Sequence, residues 1–493
     1  MKTEIYQIKF YKVLLLTFFL CLTISCEDTL KEEPPSVISL EEITEENLDA
    51  LLIGVYEPLT RSRGRIWETQ FLLAQTLMEE SSRNTGGRGR LAEYDFLGGA
   101  SGYQAGWPTL YNAVGRANIL LQNLETNDII SEDLKNRAIG EASFVRAVVY
   151  YTLVRGWGSV PLRLVPVNDS DNTGQPLESV ENIYAQIIND LMVAENSLDL
   201  TTSNPGRATS GAAKVMLADV YLTQGNFQAA RDKAIEVIDE ASTYGYALLD
   251  SYPEIFSPTA PTHAEDVFSL KFSQNVGLGN FIPTYFAPAQ PNTLANEAGI
   301  AARGLAFAAA DGDSPLIANW DDNDLRKSWN LYSSVVVNGE TVELESLPPE
   351  TEFLYGKYRD PGAVEETAAG NDFFLYRYAD ALLIFAEAEN QVNGPTAEAY
   401  EAVNQIRRRA YGVDQGTPDA AVDFPEGLSQ SEFDDLIFQE RGYEFMAEAK
   451  RWFDMVRTGR WETIIPAANK PLPTQLTWEL PNSELQNNPA LND

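Results

Sequence analysis

The strongest constraint on the fold is a helical repeat among the apolar residues of the first half of the chain. From about residue 40 to residue 249, apolar side chains recur every three to four positions, which places them on one face of an α-helix. In the clearest unit, residues 212–238, the small residues Ala218 and Ala229 permit close approach and Gly225 ends the first helix. The sequence therefore predicts two antiparallel helices that bury their facing sides.

This unit is similar to the helix pair of a tetratricopeptide (TPR) repeat. A second pair is predicted over residues 378–410, with Gly394 and Pro395 at the turn, and a third helical block over residues 431–458. The units are unevenly spaced, which argues against a simple solenoid. The predicted fold is mainly α: a TPR-like scaffold of helical hairpins with a long irregular insertion that contains short strands.

The character of the sequence changes twice along the chain. The predicted regions are an N-terminal helical region (39–249), an irregular insertion (250–370) and a C-terminal helical region (371–493). In the insertion Pro and Gly recur, and strand-like runs occur at 266–272 and 333–337. A smaller loop-rich segment spans 61–106. Loops carried on a rigid scaffold often hold binding residues, so the long insertion is the candidate ligand-binding region.

The N-terminus has the features of an export signal. Lysines at positions 2, 9 and 12 precede an apolar run over residues 13–22, which is too short to span a bilayer. The run ends in Leu22-Thr-Ile-Ser-Cys26, which resembles a bacterial lipobox. The sequence predicts a signal peptide over 1–25, lipidation of Cys26 and a tether over 26–38, with plain secretion as the alternative.

The charged and sulfur-containing residues exclude several classes of function. Asp and Glu number 72 against 36 Lys and Arg, for a net charge of -36, so most of the surface would repel nucleic acid. The two cysteines lie within the first 26 residues, and His263 is the single histidine of the chain. Zinc sites built on Cys and His, iron–sulfur clusters and Cys–His dyads therefore lack their residues. We expect no metal and no cofactor.

Five stretches, in order, resemble one known family. They are Gly140-Glu-Ala-Ser-Phe-Val-Arg-Ala-Val-Val-Tyr-Tyr151 with residues 158–162, then 183–191, then Gly206-Arg-Ala-Thr-Ser-Gly-Ala-Ala-Lys214, then 377–388, and last Glu440-Arg441 to Arg457. With a lipobox in front, the chain resembles the SusD/RagB family of outer-membrane nutrient-binding lipoproteins. The closing residues 490–493 depart from the usual family ending.

The resemblance implies a cell-surface protein of the outer membrane that lies over a SusC-like TonB-dependent transporter barrel. Its role would be to capture a nutrient, usually an oligosaccharide or polysaccharide, and to pass it to the barrel. The RagB branch is linked to peptides, so fold alone leaves the ligand class open. A peptide-capturing protein is the alternative, and a surface glycoside hydrolase is a further one.

Charged residues cluster near the C-terminus. The set consists of Glu440, Arg441, Glu444, Arg451, Asp454 and Arg457. Carboxylates one helical turn apart could in principle act as the acid pair of a glycosidase. Each of these acids, however, has an arginine within a turn, which favours ionised, paired carboxylates over a protonated general acid. We expect a structural ion-pair network and a protein that is not an enzyme.

A glycan site should combine aromatic faces with planar or charged hydrogen-bonding groups. Three places in the insertions fit this pattern. They are Trp320 with Asn319 and Asp321, the pair Tyr285 and Phe286, and Arg83 with Asn84. We expect Trp320 at a loop tip, where its ring would bind sugar and contribute little to the core. Trp107 and Trp157 occur at family-typical positions, and we expect them to be packing residues.

Overall fold

The computed structural model describes most of the chain. The described residues are 43–60, 73–84, 89–96, 106–166, 174–260, 262–288, 304–306, 308–337, 339–347 and 350–491. The predicted signal peptide, Cys26 and the tether lie outside them, as does most of the segment 61–106. Of Asn84 only the backbone is described.

The predicted mainly α fold is confirmed, with 53% helix and 7% strand. The helices before the long insertion are α1 (Glu45–Thr60), α2 (Leu73–Leu77), α3 (Gly89–Ala92), α4 (Trp107–Glu125), α5 (Glu132–Trp157), α6 (Val180–Ser197), α7 (Ser210–Thr223), α8 (Phe227–Asp239) and α9 (Ala241–Tyr244). Those of the insertion are α10 (Tyr252–Ile255), α11 (Ile282–Phe286), α12 (Pro315–Ala318) and α13 (Leu325–Asn330). The remainder are α14 (Tyr378–Asn393), α15 (Ala397–Ala410), α16 (Gln430–Glu444), α17 (Arg451–Arg457), α18 (Trp461–Ala467) and α19 (Asn482–Asn487).

The predicted hairpin at 212–238 corresponds to α7 and α8. Thr209 caps α7 by accepting a hydrogen bond from the amide of Ala212, and Gly225 adopts a φ of 71° where the chain turns. Ala218 is fully buried, as close helix packing requires. The prediction for the second helix is wrong by one position. Ala230 is the buried alanine, and Ala229 remains partly exposed.

A buried ion pair joins the two helices of the preceding hairpin. Arg146 of α5 binds both carboxylate oxygens of Asp190 of α6, at 2.8 and 2.7 Å. The bidentate geometry satisfies the charge of each group inside the helix interface. Trp107 and Trp157 are both buried and pack edge to face at 5.3 Å, as expected for scaffold residues.

The strands are short and lie mostly in the insertion. They are β1 (Ser82–Asn84), β2 (Asp266–Leu270), β3 (Ala308–Ala310), β4 (Leu331–Tyr332), β5 (Ser334–Val337), β6 (Glu340–Glu343), β7 (Phe353–Tyr355) and β8 (Phe373–Arg377). A four-stranded antiparallel sheet has the order β1-β3-β7-β4, while β2 pairs with β8 and β5 with β6. Because β1 comes from the N-terminal region, this sheet joins two distant parts of the chain.

The four-stranded sheet has two different faces. Ala308, Ala310 and Tyr355 point into the main core. On the other face, Ala309 and Leu354 pack with Val335 of the β5–β6 hairpin in a small separate cluster. The alternation follows the two-residue period of a strand.

The third predicted helical block is two helices, α16 and α17, separated by a strained turn. Ala447 and Ala449 adopt φ values of 58° and 61°, in the left-handed region that alanine rarely occupies. Glu448 lies between them and is buried against Lys357 and Arg377, at 2.7 and 2.9 Å. These two ion pairs hold the turn in its strained conformation.

The segment after α2 packs against this turn. Glu79 is buried, and its Oε1 accepts a hydrogen bond of 2.8 Å from the amide of Ala447. Burial raises the pKa of the Glu79 carboxyl from 4.5 to about 8; the Ala447 hydrogen bond opposes this shift and the neighbouring Glu80 carboxylate adds to it. At neutral pH Glu79 is therefore mainly protonated.

We expect Glu79→Gln to raise the Tm relative to the parent by an amount that grows from pH 5 to pH 8. The raised native pKa gives stability that is complete below about pH 4.5 and is lost as the pH rises through about 8. Glutamine keeps the acceptor for Ala447 and has no proton to lose. Thermal unfolding at both pH values, with the exposed Glu46→Gln as control, measures the difference. An equal change at both values would contradict a protonated Glu79.

Candidate functional site

A cluster of buried charges connects the insertion to the C-terminal helices. At its centre the fully buried carboxylate of Glu444 contacts Arg326 at 3.0 Å, Arg377 at 2.8 Å and Arg409 at 2.6 Å. Arg377 and Arg409 also bind Glu265, at 2.5 and 2.6 Å. We call this set of five residues the Glu444 cluster.

The other predicted ion-pair residues surround this cluster. Glu440 binds Arg326 at 2.7 Å and Arg407 at 2.9 Å. Asp454 receives both Arg441, at 2.9 Å, and Arg457, at 2.8 Å. The structure thus brings Glu440 and Glu444 together on Arg326, and Arg441 and Arg457 together on Asp454.

Arg451 does not join either group. It binds Glu80 at 2.6 Å, a residue 371 positions earlier in the chain. This contact ties the segment that carries β1 to the C-terminal helices.

The electrostatics of Glu444 are those of a permanently ionised group. Burial alone would raise its pKa, but Arg409, Arg377 and Arg326 outweigh burial and hold the pKa of Glu444 well below its usual range. A general acid needs a raised pKa and access to a leaving group. Glu444 has neither property in this structure.

The expectation that Trp320 is an exposed loop-tip residue is wrong. Its side chain is 3% exposed, its ring stacks on Tyr443 at 4.5 Å, and its Nε1–H donates to Asp324 at 2.8 Å. Asp324 in turn pairs with Arg326 at 2.6 Å. The indole therefore connects to the Glu444 cluster through Asp324 and Arg326. Tyr443 covers its ring face, so a ligand cannot stack there.

The other aromatic candidates are buried as well. Tyr285 is 6% exposed and Phe286 is 1% exposed. Phe286 packs against Tyr355, with ring centroids 5.2 Å apart, and Tyr285 packs against Phe281 at 4.9 Å. Neighbouring aromatic rings cover the ring faces of Tyr285 and Phe286 that a sugar would need. Both residues are therefore part of the hydrophobic core.

The polar candidates lie at the surface but do not form one site. Asn319 is exposed and donates to the carbonyl of Pro315 at 2.8 Å. Asp321 is exposed and accepts a hydrogen bond from Tyr411 at 3.0 Å. Arg83 is exposed on β1 and forms no ion pair with a described residue.

A cavity that the sequence did not reveal opens between α10 and α13. It measures about 390 Å³, and its lining includes Asp250, Ser251, Leu325, Ser328, Trp329 and Arg409. Leu325 is 53% exposed. Two buried donors of lining residues, Trp329 Nε1–H and Arg409 Nε–H, have no hydrogen-bond partner among the described residues. The cavity therefore offers an aromatic side chain, a carboxylate and two residues with an unused donor.

Trp329 is half-buried and stacks with a cation. The guanidinium carbon of Arg359 lies 4.7 Å from the centre of the Trp329 ring and 5.6 Å from that of Tyr332. Burial lowers the pKa of Arg359, and the nearby Tyr332 opposes the shift. These residues were missed because Trp329, Tyr332 and Arg359 come from separate irregular segments that no periodic pattern connects. The sequence signal that could have drawn attention to Arg359 is the turn-forming run Arg-Asp-Pro-Gly at residues 359–362.

Two features are absent from the described ranges. No helix there combines the length and apolar character needed to cross a bilayer. No group of three or more His, Cys, Asp or Glu side chains among those residues is arranged to hold a metal ion.

Two family models match the sequence. Residues 332–471 match the SusD family, and residues 28–222 match a family described as "Starch-binding associating with outer membrane". SusD-like protein P25 of Formosa agariphila is 25% identical, with 98% of each chain covered. The matched regions include both the scaffold helices and the residues of the Glu444 cluster that follow β7.

Solved structures share the fold. A SusD homolog from Bacteroides thetaiotaomicron superposes with a TM-score of 0.77 at 22% identity, covering 90% of this chain and 96% of that one. Surface glycan-binding protein A of the same species, in complex with laminarihexaose, gives 0.74 at 19% identity, covering 91% and 99%. The helical scaffold and its insertion thus define a SusD-type fold. The chain belongs to the SusD family.

We expect Glu444→Gln to destabilise the protein by about 3–5 kcal/mol, because it removes the charge that neutralises three buried guanidinium groups. The control is Asp322→Asn, which breaks the ion pair between Asp322 and Lys327. The Asp322 side chain is 91% exposed. That change should alter stability by less than about 0.5 kcal/mol. Urea unfolding of both variants measures the difference. Similar small losses would show that the Glu444 cluster is energetically neutral.

Proposed function

We propose that this protein is a lipid-anchored, non-catalytic glycan-binding protein of the cell surface. It binds oligosaccharide or polysaccharide and delivers it to a partner TonB-dependent transporter. The observation that carries the proposal is the cavity beside Trp329, in a fold that a relative uses to bind laminarihexaose.

The chemistry of the cavity suits a sugar. A hydroxyl group donates hydrogen bonds, so it can donate to the exposed Asp250 carboxylate that lines the cavity. The apolar C–H face of a pyranose ring can pack on the indole of Trp329.

The same cavity argues against hydrolysis. Glycosidases use two carboxyl groups placed on either side of the scissile bond. Among the described lining residues, Asp250 is the single acid. Glu444 is held in ion pairs with three arginines, which keep it ionised and unable to act as a protonated general acid.

Lipidation of Cys26 would hold the binding domain at the outer membrane. A protein tethered at the surface cannot move its cargo inward by itself, so the proposal includes a transporter that forms the pore. The family description "associating with outer membrane" supports this location.

We expect Trp329→Ala to weaken oligosaccharide binding by roughly 1–3 kcal/mol, the scale of burying an aromatic face. The protein would be the soluble form that starts after Cys26, screened on a glycan array and then titrated calorimetrically with its best ligand. Trp329→Phe keeps a ring and should lose less. Trp320→Ala should lower the Tm because that ring is buried. Binding of peptides with no binding of glycans would favour the peptide-capturing alternative.

Replacing the predicted lipidated residue tests the anchor. Cys26→Ala should leave the protein soluble or unprocessed, since no acyl chain can be attached. Fractionation of cells and protease accessibility of intact cells would measure the change. A variant that stays in the outer membrane and exposed at the surface would contradict lipid anchoring at this residue.

A further inference from the structure

In the part of the chain that the structure describes, arginine is almost always paired with a carboxylate. With 72 acidic and 36 basic residues, carboxylates are in twofold excess. Among the described arginines, Arg83, Arg155 and Arg359 are the three without a carboxylate oxygen of a described residue within 4 Å. In so acidic a chain, a guanidinium without a carboxylate partner calls for a physical explanation.

Two of the three have one. Arg83 is exposed, so water solvates its charge at little cost. Arg155 donates to the carbonyl of Tyr151 at 3.2 Å and stacks between the rings of Tyr151 and Phe453, at 3.6 and 4.2 Å. Its planar cation is held inside the scaffold by aromatic contacts.

Arg359 differs from both. It is half-buried, and its guanidinium makes no hydrogen bond or ion pair with any described residue. Its contacts are the faces of Trp329 and Tyr332, at 4.7 and 5.6 Å. Aromatic faces offset part of the desolvation cost of a cation but provide no hydrogen-bond acceptors. The guanidinium therefore keeps its hydrogen-bonding capacity for a group outside the described chain.

The backbone leaves room for this guanidinium. A Cβ atom built on Gly356 would come within 2.4 Å of Arg359 Nη2. The amide of Gly356 donates to the carbonyl of Asn330 at 2.8 Å, which holds this glycine beside the end of α13. The same Cβ atom would come within 2.8 Å of the backbone carbonyl oxygen of Trp329, so a side chain at position 356 would disturb both Arg359 and Trp329.

Arg359 is close to the proposed sugar cavity. Trp329 lines that cavity, and Arg359 stacks on the same indole. A saccharide packed on Trp329 would therefore contact the same indole that Arg359 contacts, although Arg359 itself is outside the cavity lining. A guanidinium binds carboxylate and sulfate groups through paired N–H donors.

We propose that the ligand is an acidic glycan, and that Arg359 binds its anionic group, a uronate carboxylate or a sulfate ester. This inference rests on the proposed glycan-binding function and adds the substrate class. The net charge of -36 repels anionic polymers at long range, so recognition depends on a local, unpaired cation at the site.

The test compares charged and neutralised forms of the same oligosaccharides. Oligogalacturonate is compared with its methyl ester, and carrageenan oligosaccharides with their desulfated forms, by titration of the soluble protein. Laminarin and xyloglucan oligosaccharides serve as neutral ligands. We expect at least a tenfold preference for the charged member of one pair, and which pair shows it distinguishes carboxylate from sulfate.

Arg359→Gln should remove most of that preference and change the affinity for neutral sugars by less than twofold. It removes no ion pair, so it should fold. Arg359→Lys should keep part of the preference, because it keeps the positive charge but loses the paired N–H donors. Arg116→Gln, at a surface pair with Glu57, makes the same change in net charge away from the site and should have no effect.

Three results would overturn the inference. Equal binding of charged and neutralised forms would do so, as would equal weakening of both by Arg359→Gln, which would make Arg359 a support for Trp329. Binding of neutral sugars alone would overturn the acidic class while leaving the proposed function intact. Failure of every glycan to bind the parent protein would instead contradict the proposed function itself.

Discussion

The fold depends on one buried carboxylate that faces three guanidinium groups. Glu444 lies on α16, while Arg326, Arg377 and Arg409 come from α13, the end of β8 and α15. Bringing four charges out of water is costly, and the cost is offset only when each charge has a partner with good geometry. The cluster therefore forms as a unit, and it fixes the position of each element that contributes to it.

This constraint joins the insertion to the scaffold. The insertion supplies Arg326 and Glu265, and the short strands alone would provide little stability because the four-stranded sheet has only two or three residues in each strand. A second connection runs from Arg451 to Glu80, next to β1. The sheet is thus held at one end by the N-terminal segment and at the other by α13, and both are fastened to the C-terminal helices by arginine.

The sequence predicted the scaffold well because the spacing of apolar residues within each helix specifies which face is buried. The apolar stripe of residues 212–238 specifies which faces are buried, with an error of one position at Ala229. The charged cluster was predictable only in part. Arginine near each acid on α16 and α17 indicated pairing, but the partners of Glu444 lie 35, 67 and 118 residues away, and no spacing rule identifies them.

The aromatic residues show where local reasoning fails. Trp320 and Trp329 are nine positions apart in similarly polar surroundings, yet the first is sealed by Tyr443 and the second borders a cavity. The residues next to a tryptophan in the sequence indicate whether its loop is hydrophilic, but they do not indicate whether its ring is exposed. Whether the ring is covered depends on a residue from another helix, which is a property of tertiary packing and not of the segment.

The Glu444 cluster also fixes a residue that lines the cavity. Arg409 uses Nη1 for Glu265 and Nη2 for Glu444, both at 2.6 Å, so its guanidinium cannot rotate. The remaining Nε–H belongs to a residue that lines the cavity and has no described partner. A side chain that is already immobile loses no further entropy when a ligand packs against it. The ion pairs that stabilise the fold therefore fix this part of the cavity lining, while the paired guanidinium of Arg409 adds little net attraction for anions. In the proposed site, selectivity for charge would depend on Arg359, which has no carboxylate partner among the described residues.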